Sequence, residues 1–149
     1  MPQFMPTSIM HYAVDGDENG HIDLTNNTQD AIMSVGSFLA QHGWQRGLPV
    51  FAPVALPPDP TALVDGGLEP KQSWATLSAA GARLQPGASA TGWGSQPLGV
   101  VDLVEEARGT AQYRVGTPNF FALTKYNRSY FYATSVADLA SEIEARVAR

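Results

Sequence analysis

Oxygen-bearing side chains stand at alternate positions in one short acidic stretch, Asp15-Gly16-Asp17-Glu18-Asn19-Gly20-His21-Ile22-Asp23. Hard oxygen donors spaced in this way, with a glycine where the chain must turn sharply, are what a loop needs to wrap a calcium ion. With Asp15 as position one of an EF-hand-like loop, Asp15, Asp17 and Asn19 fall at positions one, three and five. Gly20 falls at six and Ile22 at eight, the usual apolar position. His21 falls at seven, where the ligand is a backbone carbonyl, so its imidazole need not take part. The twelfth position is Asn26 rather than a bidentate Glu, which predicts weak binding unless a later carboxylate closes the shell. An Asp/Gly-rich turn that binds nothing is the other reading. With a single such loop and no Met-rich groove to expose, a bound ion would be structural rather than a signal.

A second group is Tyr126, Asn127 and Tyr132. A sugar ring offers hydroxyl and N-acetyl groups at its edge and C–H groups on its face. Asn and Tyr supply donors and acceptors, and Tyr adds a flat apolar surface. Gln3 and Phe4 offer the same pair of functions at the other end of the chain. Residue type alone leaves a second possibility open, because aromatic side chains near a helix end commonly belong to the core.

Other chemistries find no support. There is no cysteine, so thiolate catalysis, disulfides and cysteine-zinc sites are excluded. His11, His21 and His42 lack metal-ligand spacing. Gly92-Trp93-Gly94 lacks the third glycine of a dinucleotide loop, and no Gly-x-Ser-x-Gly elbow occurs. The net charge of −5 argues against sequence-independent nucleic-acid binding, which needs clustered cations. No apolar run approaches the roughly 18 residues of a membrane span, and no signal peptide opens the chain. Glycosidic cleavage needs a carboxylic acid kept protonated in an apolar pocket. Glu18, Glu69, Glu105, Glu106, Glu142 and Glu144 all sit in loop, turn or wet-face settings, and each reads as a surface charge.

The elements that would position these groups divide the 149 residues into helical ends around a β-rich insert. Residues 6–13 read as a short helix with Pro6 in its first turn. Residues 31–42 carry Ile32, Val35 and Leu39 at helical spacing, with Ala31 and Phe38 beside them, and Gly43 stops the helix. Trp44 is expected to pack back on it. Pro49 to Leu56 read as extended but irregular, because their prolines remove ladder donors. Residues 73–80 form a short helix capped by Ser73, and residues 98–104 and 111–115 read as strands. Thr117-Pro118 open a helix to Leu123. Ser135 caps the last helix, whose stripe is Val136, Leu139, Ala140, Ile143 and Val147, with Glu142 and Arg146 paired at i,i+4. The expected division is residues 1–46, 47–117 and 118–149, in an α+β fold.

Two motifs in order carry a resemblance. The chain opens Pro2-Gln3-Phe4-Met5-Pro6-Thr7-Ser8, runs through the acidic loop to Gln41-His42-Gly43-Trp44, and later reads Asn119-Phe120-Phe121-Ala122-Leu123-Thr124-Lys125-Tyr126-Asn127-Arg128-Ser129. This resembles the C-terminal part of the B-type lytic murein transglycosylases, enzymes that cleave the MurNAc–GlcNAc β-1,4 bond of peptidoglycan. The resemblance implies a lysozyme-like helical core. It implies that Gln3, Phe4, Tyr126, Asn127 and Tyr132 line a glycan cleft, and that Asp30 closes the calcium shell. Phe38 stands where that family can carry a cleft tyrosine.

In that family a single glutamate, placed before the first motif, serves as acid and then as base. The sugar's own 6-hydroxyl attacks, giving a 1,6-anhydro product. The chain is therefore expected to carry part of the cleft and a structural calcium but not the acid, with peptidoglycan glycan strands as partner. The parent enzyme would be periplasmic or outer-membrane-associated. Two further readings stand beside this one: a non-catalytic peptidoglycan-binding or regulatory module, and a calcium-stabilised remnant. If the family's preceding helices are missing, the apolar stripes of residues 31–42 and 136–147 would partly face water, which predicts a homodimer or low stability.

Overall fold

The computed structural model describes residues 12–64 and 66–147. Gln3, Phe4 and nearly all of the helix expected over residues 6–13 lie outside the described residues. The chain forms two compact units, Met1–Trp44 and Gln45–Arg149, of mixed helix and strand.

In the first unit, α1 (Thr28–Gln41) starts three residues before the expected Ala31. Asn27 is the reason. Its side-chain oxygen accepts from the Asp30 N–H at 3.1 Å, satisfying a donor that the helix cannot. Gly43 leaves the helix with φ 95°, and the Trp44 N–H returns to the Leu39 carbonyl at 2.9 Å. The buried face also differs from the expected stripe. Asp30, Ser34 and Phe38, spaced four apart, are the buried residues of α1, while Ile32 is 63% and Met33 50% exposed. The acidic segment folding back on α1 brings unpaired backbone groups with it. Asp30 and Ser34 satisfy them, so the polar face is turned inward. Phe38 stacks on His42 with centroids 4.1 Å apart, and Tyr12 meets Phe38 edge-on at 5.0 Å.

The second unit is built on a hairpin. Strands β3 (Gly99–Glu105) and β4 (Thr110–Gly116) pair antiparallel from Gly99 opposite Gly116 to Glu105 opposite Thr110, close to the strands expected. An exposed turn through Gly109, with φ 64°, joins them. A two-residue pair, β1 (Val54–Ala55) with β2 (Arg83–Leu84), is what the proline-rich stretch allows. The short helix α2 (Trp74–Ala79) begins at Ser73, whose hydroxyl accepts from the Thr76 N–H at 3.2 Å, as expected. Leu77, Trp93, Leu98, Val100 and Val115 make the core, with Trp74 set edge-on to Trp93 at 5.4 Å.

Helix α3 (Pro118–Tyr126) starts at the expected Thr117-Pro118 pair and runs three residues past Leu123. It lies close against the hairpin because Gly99 and Gly116 face each other there. A Cβ on Gly99 would stand 2.5 Å from Phe121 Cζ, and one on Gly116 would stand 2.9 Å from Phe120 Cδ1. Asn119, fully buried, fixes the entering chain. Its Oδ1 accepts from the Gln45 N–H at 2.7 Å, and its Nδ2 donates to the carbonyls of Gln45 and Leu48 at 2.9 and 2.7 Å.

The last helix, α4 (Tyr130–Val147), corrects the expected start at Ser135. Ser129 does the capping instead, its hydroxyl accepting from the Tyr132 N–H at 3.2 Å. Ser135 lies inside the helix. The helix buries Ala133, Thr134 and Ala137 rather than the expected stripe, and Leu139, Ile143 and Val147 are 61%, 53% and 80% exposed. Arg114, from β4, holds the helix through Asp138 at 2.8 Å. The expected Glu142–Arg146 pair is present at 3.1 Å.

Candidate functional site

Two groups of polar side chains are candidate sites, one in each unit. In the first unit the carboxylate oxygens of Asp15, Asp17 and Asp30 come within 4.8 Å of one another. Each is oriented by the loop. Asp15 accepts from the N–H groups of Asn19 and Gly20, at 3.2 and 2.7 Å. Asp17 accepts from the Asn27 side-chain amide at 2.6 Å and from that of Asn19 at 3.1 Å. Asp30 is fully buried, and its two oxygens take the N–H groups of Gly16 and Asp23, both at 2.7 Å. Gly20 adopts φ 92° and Glu18 φ 58°, the left-handed conformations that wind the loop tightly.

Three carboxylates this close repel. Each pair costs roughly 1 kcal/mol in water and about 4 kcal/mol at a protein-like dielectric. Among the described residues none of the three joins an ion pair with Lys or Arg. A hard divalent cation with oxygen ligands would relieve that repulsion, and the donor set fits calcium. Asn19 stands less ready than expected, because its Oδ1 accepts from the His21 N–H at 2.8 Å. His21 is exposed, and its N–H is the group that the Asn19 side chain holds. The part played by Asn27 was not foreseen. Its signal was an Asn directly before a helix.

In the second unit Tyr126 ends α3, Asn127 follows it, and Tyr132 lies in the first turn of α4. The two rings stack with centroids 6.2 Å apart and planes 26° from parallel. All three residues are half-buried. Asn127 Oδ1 accepts from the Ser129 N–H at 3.1 Å, which fixes its orientation at the helix junction. Burial, and then the neighbouring Tyr126 phenol, push the Tyr132 phenol above the usual tyrosine range. The arrangement offers two aromatic surfaces and an oriented amide within one helix–turn–helix segment. Phe38, the departure noted above, is a packed residue of the first unit.

A family model described as transglycosylase SLT domain matches residues 1–141. The chain belongs to this family. It is 37% identical over 147 residues to the membrane-bound lytic murein transglycosylase B of Escherichia coli K12, covering 95% of this chain and 36% of that protein. The soluble lytic transglycosylase SltB1 of Pseudomonas aeruginosa superposes with a TM-score of 0.80 at 37% identity, covering 99% of this chain and 47% of that one. The E. coli lytic transglycosylase Slt35, solved in complex with calcium, gives a TM-score of 0.76 at 32% identity, covering 99% and 44%. P. aeruginosa SltB3, solved with NAG-NAM-pentapeptide, gives 0.76 at 30%, covering 95% and 37%. The chain thus spans about a third of the curated relative and less than half of each solved structure.

The mixed α+β architecture and the likeness to a lytic transglycosylase fold are both as expected. All six glutamates of this family member are exposed.

Proposed function

We propose that this chain supplies part of the glycan cleft of a lytic murein transglycosylase and holds a structural calcium ion, while the acid of the reaction lies in the length of the relatives that it does not span. The observation that carries the reading is the stacked Tyr126–Tyr132 pair with Asn127 oriented beside it, in a member of a transglycosylase family. Stacked rings match the C–H face of a pyranose, and an amide matches an N-acetyl group. Gln3 and Phe4 complete the proposed contact set from the other end of the sequence.

The acid has to be protonated at the leaving oxygen near neutral pH, which takes burial away from water. Glu18 and Glu106 are exposed in loops. Glu69 pairs with Lys125, Glu105 with Arg108 and Glu142 with Arg146. Glu144 is exposed on α4. None of these six side chains is buried away from water. In this reading the chain's own residues bind and orient the glycan, and cleavage to the 1,6-anhydro product needs a glutamate from elsewhere. The supporting experiment is digestion of purified sacculi with the chain at stoichiometric amount. No 1,6-anhydro-muropeptide is expected, and clear release would overturn the assignment.

Calcium enters this reading through Asp15, Asp17, Asn19, Asp30 and the His21 carbonyl, in an EF-hand-like loop. Its contribution would be to neutralise the carboxylates and hold the loop on α1. The convergence of three carboxylates supports it, as does the calcium complex of Slt35. The functional division of the chain is read as residues 1–46 for the calcium loop, 47–117 for the β-rich insert and 118–149 for the terminal helices. A parent enzyme in the periplasm or at the outer membrane fits the membrane-bound relative. Among the described residues no helix is long and apolar enough to cross a membrane.

The exposed apolar residues Leu139, Ile143 and Val147 favour self-association of the isolated chain. Sedimentation should show a dimer or larger species, and a monodisperse monomer of ordinary thermal stability would contradict this. The second reading, a non-catalytic peptidoglycan-binding or regulatory module, draws on the same exposed glutamates. It is favoured if the chain binds sacculi at full strength by itself.

A further inference from the structure

One short segment reaches both helix ends that carry the tyrosine pair. Lys125, next to Tyr126 in the last turn of α3, pairs through its ammonium with Glu69. Tyr130, the first residue of α4, donates its hydroxyl to the Gly67 carbonyl. Residues 67–69 therefore tie the end of α3 to the start of α4, and the two ties bracket residues 126–129.

The segment is itself anchored in the core of the second unit. Before it, Val64 bridges in parallel to Val100 of β3. After it, the Gln72 N–H donates to the Leu98 carbonyl at 2.8 Å, and the Leu98 N–H returns to the Gln72 carbonyl at 2.7 Å. The Gln72 side-chain amide donates to the Leu63 carbonyl at 2.5 Å, which closes the base of the segment. Leu98 and Val100 are fully buried. Pro70 fixes its own φ and disfavours helical backbone at Glu69, so the arm that carries the carboxylate is stiff.

The hydrogen bonds within the α3–α4 link do not do this work. The Asn127 N–H donates to the Leu123 carbonyl, the Ser129 N–H to Asn127 Oδ1, and the Tyr132 N–H to the Ser129 hydroxyl. All three lie between Leu123 and Tyr132. They shape the turn without fixing the angle at which the two helices meet, and that angle decides whether the rings stack. We propose that residues 67–69 position the tyrosine pair, with Glu69 and Tyr130 as positioning residues that hold the two rings in place for a pyranose face. This rests on the reading of Tyr126, Asn127 and Tyr132 as glycan contacts. A ligand that meets rings already ordered loses less freedom on binding.

The test compares the full chain with Glu69→Ala, Tyr130→Phe and, as a control, Glu142→Ala, which breaks an ion pair elsewhere on α4. The ligand is the NAG disaccharide, which carries no charge. The second readout is tyrosinate absorbance of the late-titrating Tyr132 phenol. An exposed ion pair or a single neutral hydrogen bond is worth up to about fivefold in affinity. Disaccharide affinity should fall by up to that factor in Glu69→Ala and in Tyr130→Phe. In both, the late phenol should move toward the ordinary tyrosine value, and Glu142→Ala should move neither readout. Added salt screens the Lys125–Glu69 pair, so it should weaken binding by the wild type and not by Glu69→Ala. Affinity unchanged in both variants would overturn the proposal, whether or not the phenol moves. A fall in affinity with the phenol unmoved would also overturn it, because the rings would have stayed in place. If the folded wild type does not bind the disaccharide, the glycan reading falls and the phenol alone decides: movement in both variants keeps the positioning role, and no movement removes it.

Discussion

The acidic loop and the tyrosine pair are built in opposite ways. The loop is local. Its carboxylates are oriented by backbone and amide groups between Asp15 and Asp30, within one stretch of chain. The tyrosine pair depends on distant packing. Tyr126 and Tyr132 meet across the 127–129 link, but the helices that carry them rest on packing elsewhere, with α3 seated on the hairpin at Gly99 and Gly116 and Asn119 clamping residues 45–48. The loop should accordingly fail by loss of a single ligand, and the pair by loss of the fold beneath it.

The strongest break of this contrast is Asp30→Ala. It strips the acceptor from two backbone N–H groups at about 1–3 kcal/mol each. It also removes the buried member of the carboxylate trio. Calcium at a hundred times its dissociation constant should stabilise the wild-type chain by about 2.7 kcal/mol. Thermal melts with calcium and with chelator should show that shift in the wild type and none in Asp30→Ala. A calcium shift that survives the substitution would move the ion elsewhere.

Gly99→Val probes the other side. Its side chain would enter the space of the Phe121 ring, and overpacking of this kind typically costs about 1–3 kcal/mol. Denaturant melts should show the second unit destabilised while the calcium response stays. If the calcium response falls in step, the two regions are coupled rather than independent.

The smallest effect concerns Tyr132. Burial and Tyr126 raise its phenol, so the neutral form is favoured in the folded chain. The stability this contributes is fully present below the ordinary tyrosine value and is lost as pH rises through the raised one. A tyrosinate absorbance titration should find one late-titrating phenol. Tyr126→Phe should bring it part of the way back, leaving the larger effect of burial. Ordinary titration of all phenols would mean that the pair is open to water.

Local signals were read well from the sequence and tertiary ones poorly. Ser73 and Thr117-Pro118 start helices where expected, because a cap needs only its own turn. The hairpin strands follow from residue types that favour extended chain, Val100, Val101 and Val104 in β3 and Thr110, Tyr113 and Val115 in β4. The inward face of α1 was missed because an apolar stripe is the usual core signal. Here the folded-back loop required Asp30 and Ser34 instead, and their acceptor role depends on residues 14 to 23. Ser135 was mistaken for a cap because it precedes the most regular part of α4, while Ser129 sat inside a motif read for binding. Tyr126, Asn127 and Tyr132 were legible as a group through the family resemblance. Their stacking was not, since it depends on how two helices meet at the 127–129 link.

The most direct test of the central claim is to incubate the folded chain with purified sacculi and assay both retention and soluble products. The account predicts retention that falls by roughly fivefold, the worth of about 1 kcal/mol, in Tyr126→Ala and in Asn127→Ala. It also predicts no 1,6-anhydro-muropeptide from any of the three proteins. Retention untouched by both substitutions, or release of the anhydro product by the chain alone, would contradict it.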